Sequence, residues 1–182
     1  MTTRLSPNSF AQDRRQNIRL IVFAGLPGTG KSTIARSLAL ELGAVWLRID
    51  SIERGVREAG VWRGSFDDAG YRAAYAVAED NLRLGLNVLA DAVNPWMLTR
   101  NAWRDVGLRV AVPVIEVEII CSDIEEHRRR VETRLDDTPN FSLPSWKEII
   151  DRDYHQWDRA HIVIDTVGRS VPECLKHIRS FL

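Results

Sequence analysis

Gly25-Leu26-Pro27-Gly28-Thr29-Gly30-Lys31-Ser32 fits the pattern G-x-x-x-x-G-K-[ST], the phosphate-binding loop (P-loop) for a nucleoside triphosphate. Just upstream, Arg19-Leu20-Ile21-Val22-Phe23-Ala24 is a short apolar, β-branched run, as expected for a parallel strand buried on both faces. Downstream, Ile34, Leu38 and Leu42 recur at helical spacing, and Gly43 supplies a C-terminal stop. Strand, glycine-rich loop and helix therefore come in the order the chemistry requires. Gly28 and Gly30 let the backbone curl so that successive N–H groups and the helix N-terminus face the β-phosphate. Lys31 then reaches the β and γ oxygens, and Ser32 offers its hydroxyl to Mg²⁺. The candidate nucleotide contacts run through Gly25, Leu26, Pro27, Gly28, Thr29, Gly30, Lys31, Ser32 and Thr33.

A chain of 182 residues suits one domain, with a core large enough to bury about 70% of the unfolded surface. Lys plus Arg and Asp plus Glu stand at 25 each, so overall charge points to neither nucleic acid nor an anionic membrane as partner. Only Lys31, Lys147 and Lys176 are lysines. The positive charge is thus mostly guanidinium, which suits bidentate phosphate and carboxylate contacts; a GC-rich coding bias gives the same composition. Cys121 and Cys174 have no metal-ligand spacing, and the simplest expectation is a reduced, cytoplasmic protein. Residues 1–17 are polar and read as a flexible tail before a single domain over 18–182. Arg14-Arg15 precedes an apolar stretch, but that stretch is the P-loop strand itself, so export is not expected. No run approaches the ~18 apolar residues of a membrane span.

Further along, Ala44–Ile49 reads as a second strand ending at Asp50, and Ser51–Glu58 as a short helix. Asp67 or Asp68 could cap a long helix through Leu84, with Tyr71, Ala74, Tyr75, Ala78 and Leu82 on one face. Leu86–Asp91 is strand three, and a helix starts at Pro95 and runs to about Arg109. Val112–Ile120 is strand four, broken or begun at Pro113. Asp123–Leu135 is a charged helix, Ser145–Asp158 another, His161–Asp165 strand five, and a last helix near Pro172 has Ser170 as its cap. Strands alternating with helices predict an α/β fold with a doubly wound, five-stranded parallel sheet. Its site belongs at the C-terminal strand edge, where Asp50, Asp91 and an Arg-rich segment also fall.

On these features the chain resembles the P-loop kinases of small molecules and nucleic-acid ends, including gluconate kinase, chloramphenicol phosphotransferase, polynucleotide 5′-kinase and zeta-toxin kinases. The resemblance spans roughly residues 19–181 and implies a nucleoside-monophosphate-kinase-like fold with a helical lid at about 127–145. Asp50-Ser51-Ile52-Glu53-Arg54 resembles that group's D-x-x-x-R segment, which implies Asp50 as general base on an acceptor hydroxyl and Arg54 as a substrate contact. Asp91-Ala92-Val93-Asn94 with trailing Arg100 resembles a D-x-x-N segment. It implies Asp91 for Mg²⁺ water or substrate, Asn94 for the acceptor, and Arg100 for a phosphate or helix packing. His127-Arg128-Arg129-Arg130 and Arg134 resemble the entry to the lid. Arg130 and Arg134, four residues apart on one helical face, would clamp the triphosphate as the lid closes, whereas Arg128 and Arg129 face solvent or pair with Glu125 and Glu132. Asp136-Asp137 in that lid hints at an amine-bearing acceptor. Six tryptophans are expected mainly as packing anchors, with Trp62, beside Arg63, the one placed to wall a substrate pocket. No histidine takes a catalytic role.

Asp165-Thr166-Val167-Gly168 matches the D-x-x-G of GTPases, but it falls late and no N-K-x-D segment exists. That segment is expected to border the adenine pocket, with Arg169 stacking there. An AAA-type motor ATPase would carry an acidic pair after strand three, where Asp91 is followed by Ala92. The expectation is an ATP- and Mg²⁺-dependent kinase acting on a small-molecule hydroxyl, in which loss of Lys31 abolishes transfer and leaves the fold intact. A polynucleotide 5′-hydroxyl kinase is the alternative within that class, and an ATP-binding switch module the alternative outside it.

Overall fold

The computed structural model describes residues 18–60, 68–134 and 143–182. In chain order its elements are β1 (Leu20–Ala24), α1 (Lys31–Leu42), β2 (Val45–Arg48), α2 (Ile49–Glu58), α3 (Ala69–Arg83), β3 (Val88–Asp91), α4 (Met97–Val110), β4 (Val114–Ile120), α5 (Ile124–Thr133), α6 (Trp146–Ile150), β5 (Ile162–Asp165) and α7 (Val171–Arg179). The strands form one sheet in the order β2-β3-β1-β4-β5, and every pairing is parallel. The expected five-stranded, doubly wound α/β architecture is what the chain adopts.

β1 is apolar throughout because both of its faces are covered. Leu20 and Val22 join a cluster with Ala74, Ala78 and Leu82 of α3 and Trp103 and Val106 of α4. Ile21 and Phe23 point the other way, to Ile34, Ala35 and Leu38 of α1 and Cys174, Leu175 and Ile178 of α7. Each such side chain contributes about 1.5–3 kcal/mol on leaving water. After β1 the chain winds to one side through β2 and β3, then to the other through β4 and β5. The reversal opens a crevice at the C-terminal end of β1, where α/β proteins bind ligands.

Several boundaries differ from the sequence expectation. α4 starts at Met97 with Trp96 as its N-cap, so Pro95 stands outside it; the Pro95 carbonyl instead accepts from the His155 amide at 2.8 Å. β4 starts at Val114, since Pro113 has no N–H to give the sheet, although its carbonyl accepts from the Leu20 amide. The helix expected over 145–158 is only Trp146–Ile150, opened by a Ser145/Glu148 capping box. It stops because the next segment is pulled onto α4, where the Arg100 guanidinium takes the His155 and Gln156 carbonyls. Asp68 is the N-cap residue of α3, but its carboxylate binds Arg72 rather than a helix amide. Asp67, Trp62, Arg63, Asp136, Asp137 and residues 1–17 lie outside the described residues. Cys121 and Cys174 are buried free thiols. Among the described residues no helix is long and apolar enough to cross a membrane.

Candidate functional site

The phosphate loop runs from β1 into α1. Gly25 has φ +135°, and a Cβ there would sit 2.2 Å from the Ile119 carbonyl oxygen. At Gly28, with φ +86°, a Cβ would meet the Val131 side chain at 2.5 Å. Any larger residue at these two positions would have to displace β4 or α5. The loop backbone is also tied down from outside. The Gly25 amide donates to the Val93 carbonyl, Thr29 Oγ1 to Leu26, and Thr166 Oγ1 to the Thr29 carbonyl at 2.9 Å. His127 Nε2 donates to the Pro27 carbonyl at 2.8 Å, and its ring meets Trp146 edge-on. His127 and Thr166 are thus supports of the loop that sequence reasoning missed, since nothing local links them to it.

Lys31, the first residue of α1, is buried with its Nζ 2.6 Å from Asp91 Oδ1. The second carboxylate oxygen of Asp91 accepts from Trp46 Nε1 at 3.3 Å. β2, β3 and the loop are joined through this one carboxylate. Ser32 and Lys31 open on a cavity of about 680 Å³, which also reaches Asp50, Glu53 and Arg54 of α2, Arg130, and Arg134. Asp50 lies inside the first turn of α2 rather than at a strand end, a position where a carboxylate is favoured by the helix dipole. Its Oδ2 is 3.5 Å from an Arg48 guanidinium nitrogen. Burial and then the charge of Asp50 raise the Glu53 carboxyl above its usual range, against the nearby Arg57. Tyr71, whose hydroxyl accepts from the Asn94 amide, is raised chiefly by its own burial, with Asp50, Glu53 and Arg152 in its field.

On the far side of the loop, Asp123 caps α5. Glu126 accepts from Arg129 and Arg130, and these hydrogen bonds hold it down at about 2. Arg128 pairs with Glu132 as expected, while Arg129 takes Glu126 rather than Glu125. Arg130 also donates to the Thr166 hydroxyl and carbonyl. The helical-face reading of Arg130 and Arg134 needs correction: α5 ends at Thr133, and Arg134 has extended backbone and donates to the Pro144 carbonyl. Both still line the cavity, Arg130 from α5 and Arg134 from the C-cap position just after it.

Three expected contacts lie elsewhere. Asn94 is fully buried at φ +47°, donating from Nδ2 to the Phe23 carbonyl and accepting from Trp103 Nε1. Arg100 is fully buried too. Its donors go to carbonyls of Asn94, Pro95, His155 and Gln156, and its guanidinium lies against the Tyr154 and Trp157 rings. Both are used up by the fold and neither lines the cavity. Arg169 is exposed and likewise does not line it. Asp165 accepts from Ser122 and from the Val167 amide, a tie between the ends of β4 and β5. Conversely, Arg48, Glu53, Arg57, Glu148 and Arg152 line the cavity without having been singled out. Only Arg48 carried a local signal, at the end of a strand two residues before Asp50. Replacing Asn94 with alanine is expected to cost about 3 kcal/mol, by orphaning the Trp103 N–H and the Phe23 carbonyl. Urea unfolding would show it; a normal midpoint with weakened acceptor binding would return Asn94 to the site.

A family model described as an AAA domain matches residues 20–152. The chain belongs to this AAA domain family. The acidic pair of a motor ATPase is absent after β3, where Asp91 is followed by Ala92. This chain is 30% identical over 142 residues to a cytidylate kinase of Ignicoccus hospitalis, covering 77% of each chain. It is 41% identical over 64 residues to an uncharacterized protein of Mycobacterium tuberculosis, a match over 34% of this chain and only 13% of that longer protein. Among solved structures, the Mycobacterium tuberculosis APS kinase CysC in complex with AMPPNP and APS superposes with a TM-score of 0.68. It is 22% identical, over 90% of this chain and 96% of that one. The shared fold is that of P-loop small-molecule kinases.

Proposed function

We propose that this protein is an ATP-dependent phosphotransferase that moves the γ-phosphoryl group to a hydroxyl of a small molecule. The observation that carries the reading is the extent of the cavity, which continues from Lys31 and Ser32 past the phosphate loop to Asp50 and Glu53 on α2. A module that only senses nucleotide has no use for a second compartment lined by carboxylates.

The loop amides, Lys31, Arg130 and Arg134 would hold the triphosphate, and the acceptor would lie against α2. Asp50 would take the hydroxyl proton as the acceptor oxygen bonds to the γ-phosphorus and the bond to the β-phosphate oxygen breaks, releasing ADP. The residues present suit Mg²⁺. Among the described residues no cluster of three His, Cys, Asp or Glu could cage a metal ion, and Mg²⁺ typically takes one or two protein oxygens, phosphates and waters. Ser32 would supply one of those oxygens; Asp91, whose oxygens serve Lys31 and Trp46 and which does not line the cavity, would act on the ion through a water, and the ion would neutralise charge on the β and γ phosphates. Closure of α5 over the bound nucleotide would exclude water.

The test follows γ-labelled ATP with Mg²⁺ against pooled sugars, nucleosides, aminoglycosides and 5′-hydroxyl oligonucleotides. Label is expected in a small-molecule pool at well above the rate of transfer to water. Label confined to oligonucleotides would replace the small-molecule reading with a polynucleotide kinase, and ATP binding with slow transfer to water alone would favour the switch module.

A further inference from the structure

The chain as a whole is electrically neutral, yet among the described residues Lys31 and six arginines line the cavity against the three carboxylates Asp50, Glu53 and Glu148. Lys31, Arg130 and Arg134 stand beside the phosphate loop and the β4–β5 side. Arg48, Arg54, Arg57 and Arg152 belong to the other end, around α2 and the segment after α6. A triphosphate held at the loop does not account for these four.

Among the described residues, the carboxylates at that end do not close on Arg48 or Arg152. Glu148 commits one oxygen to the Ser145 amide and hydroxyl in the capping box. The contact of Arg48 with Asp50 is long, at 3.5 Å. By contrast, the ion pairs of Arg72, Arg83 and Arg128 close to 2.6–2.8 Å. Arg48 Nε is screened from solvent and has no hydrogen-bond partner among the described residues. The Arg152 side chain has no hydrogen bond or ion pair among them, although its charge is felt at Tyr71 and Glu148. Asp50, Glu53 and Arg152 all line the cavity and all act on Tyr71, so Arg152 belongs to the same end as the proposed base.

We propose that the acceptor is an anion, a small molecule bearing a phosphate, sulfate or carboxylate group that Arg48 and Arg152 bind while its hydroxyl meets Asp50. This rests on the phosphotransferase reading and narrows it. A guanidinium fork recognises tetrahedral and planar oxyanions through paired N–H donors. An anion bridging Arg48 and Arg152 would meet the unused Nε donor and fix the acceptor's register against α2. An amine-bearing acceptor would instead have to face the Arg48 and Arg152 guanidinium groups.

Two measurements separate the outcomes. In the first, protein loaded with AMPPNP and Mg²⁺ is titrated calorimetrically with inorganic phosphate, which reads the anion site without any transfer. In the second, label from γ-labelled ATP is followed into matched acceptors: a nucleoside and its 5′-monophosphate, an aldose and its aldonic acid, a sugar alcohol and its phosphate monoester. The expected result is phosphate binding to the loaded protein and kcat/KM at least about 100-fold higher for a charged member than for its neutral twin. Arg48→Gln with Arg152→Gln should erase that preference through KM, with ATP affinity kept within about twofold because neither side chain is assigned to the triphosphate. Arg152→Gln alone, at an exposed position, should show part of the effect and guards against misfolding of the double variant. Transfer to neutral or cationic acceptors without phosphate binding would overturn the anion site and leave the kinase reading standing. Phosphate binding that weakens in the arginine variants, with no label in any acceptor, would keep the anion site and sink the kinase reading.

Discussion

Lys31→Ala is expected to lower phosphoryl transfer by about 10³-fold or more, the scale of losing a preorganised charge aimed at the transferring group. The structure changes what should accompany that loss. Lys31 is the counter-ion of Asp91 in a buried pair, and removing one partner leaves an uncompensated buried carboxylate, at a cost of about 3–5 kcal/mol. The sequence expectation of an intact fold therefore gives way to a destabilised one. Lys31→Ala combined with Asp91→Asn removes both charges and should recover much of the stability while remaining inactive. Urea unfolding and single-turnover transfer on both variants separate the two effects. Activity equal to the parent in Lys31→Ala would sink the phosphotransferase assignment outright.

Asp50→Asn should keep ATP affinity and lose about 10²–10⁴-fold in kcat, the usual contribution of a general base. The substitution is close to isosteric at a half-exposed position in the first turn of α2, where the change in helix-dipole interaction is worth about 0.3–1 kcal/mol. Stability is thus barely involved, and nucleotide titration beside steady-state turnover isolates the chemical step. Unchanged turnover would remove Asp50 from the base role and leave Glu53, the other carboxylate that α2 presents to the cavity, as the group to replace next.

The two ends of the cavity differed in how far they could be read from sequence. Lys31 and Ser32 belong to one contiguous motif whose glycines, strand and helix all adjoin it, so local pattern placed them at the site. Asp50 follows β2 closely enough that sheet-edge reasoning found it, although it sits within a helix. Asn94 and Arg100 looked similar by that reasoning, yet the positive φ of Asn94 and the packing of residues 154–157 turn both inward. Arg130 and Arg134 reach the cavity for different reasons, because α5 ends between them. Arg152 had no local signal at all.

The chain's own sequence was enough to specify the phosphate loop, the parallel α/β alternation and the strand-edge location of the site. Each of these is written in contiguous residues whose backbone preferences and apolar periodicity act over a few positions. The tertiary structure alone decided which charged side chains converge. The strand order β2-β3-β1-β4-β5 sets α2 and α5 on opposite sides of the loop, and the segment after α6 is drawn back across α4 by the Arg100 guanidinium. Whether an arginine ends in the core, as Arg100 does, or faces the cavity, as Arg48 and Arg152 do, depends on partners distant in sequence, and local spacing carries no information about them.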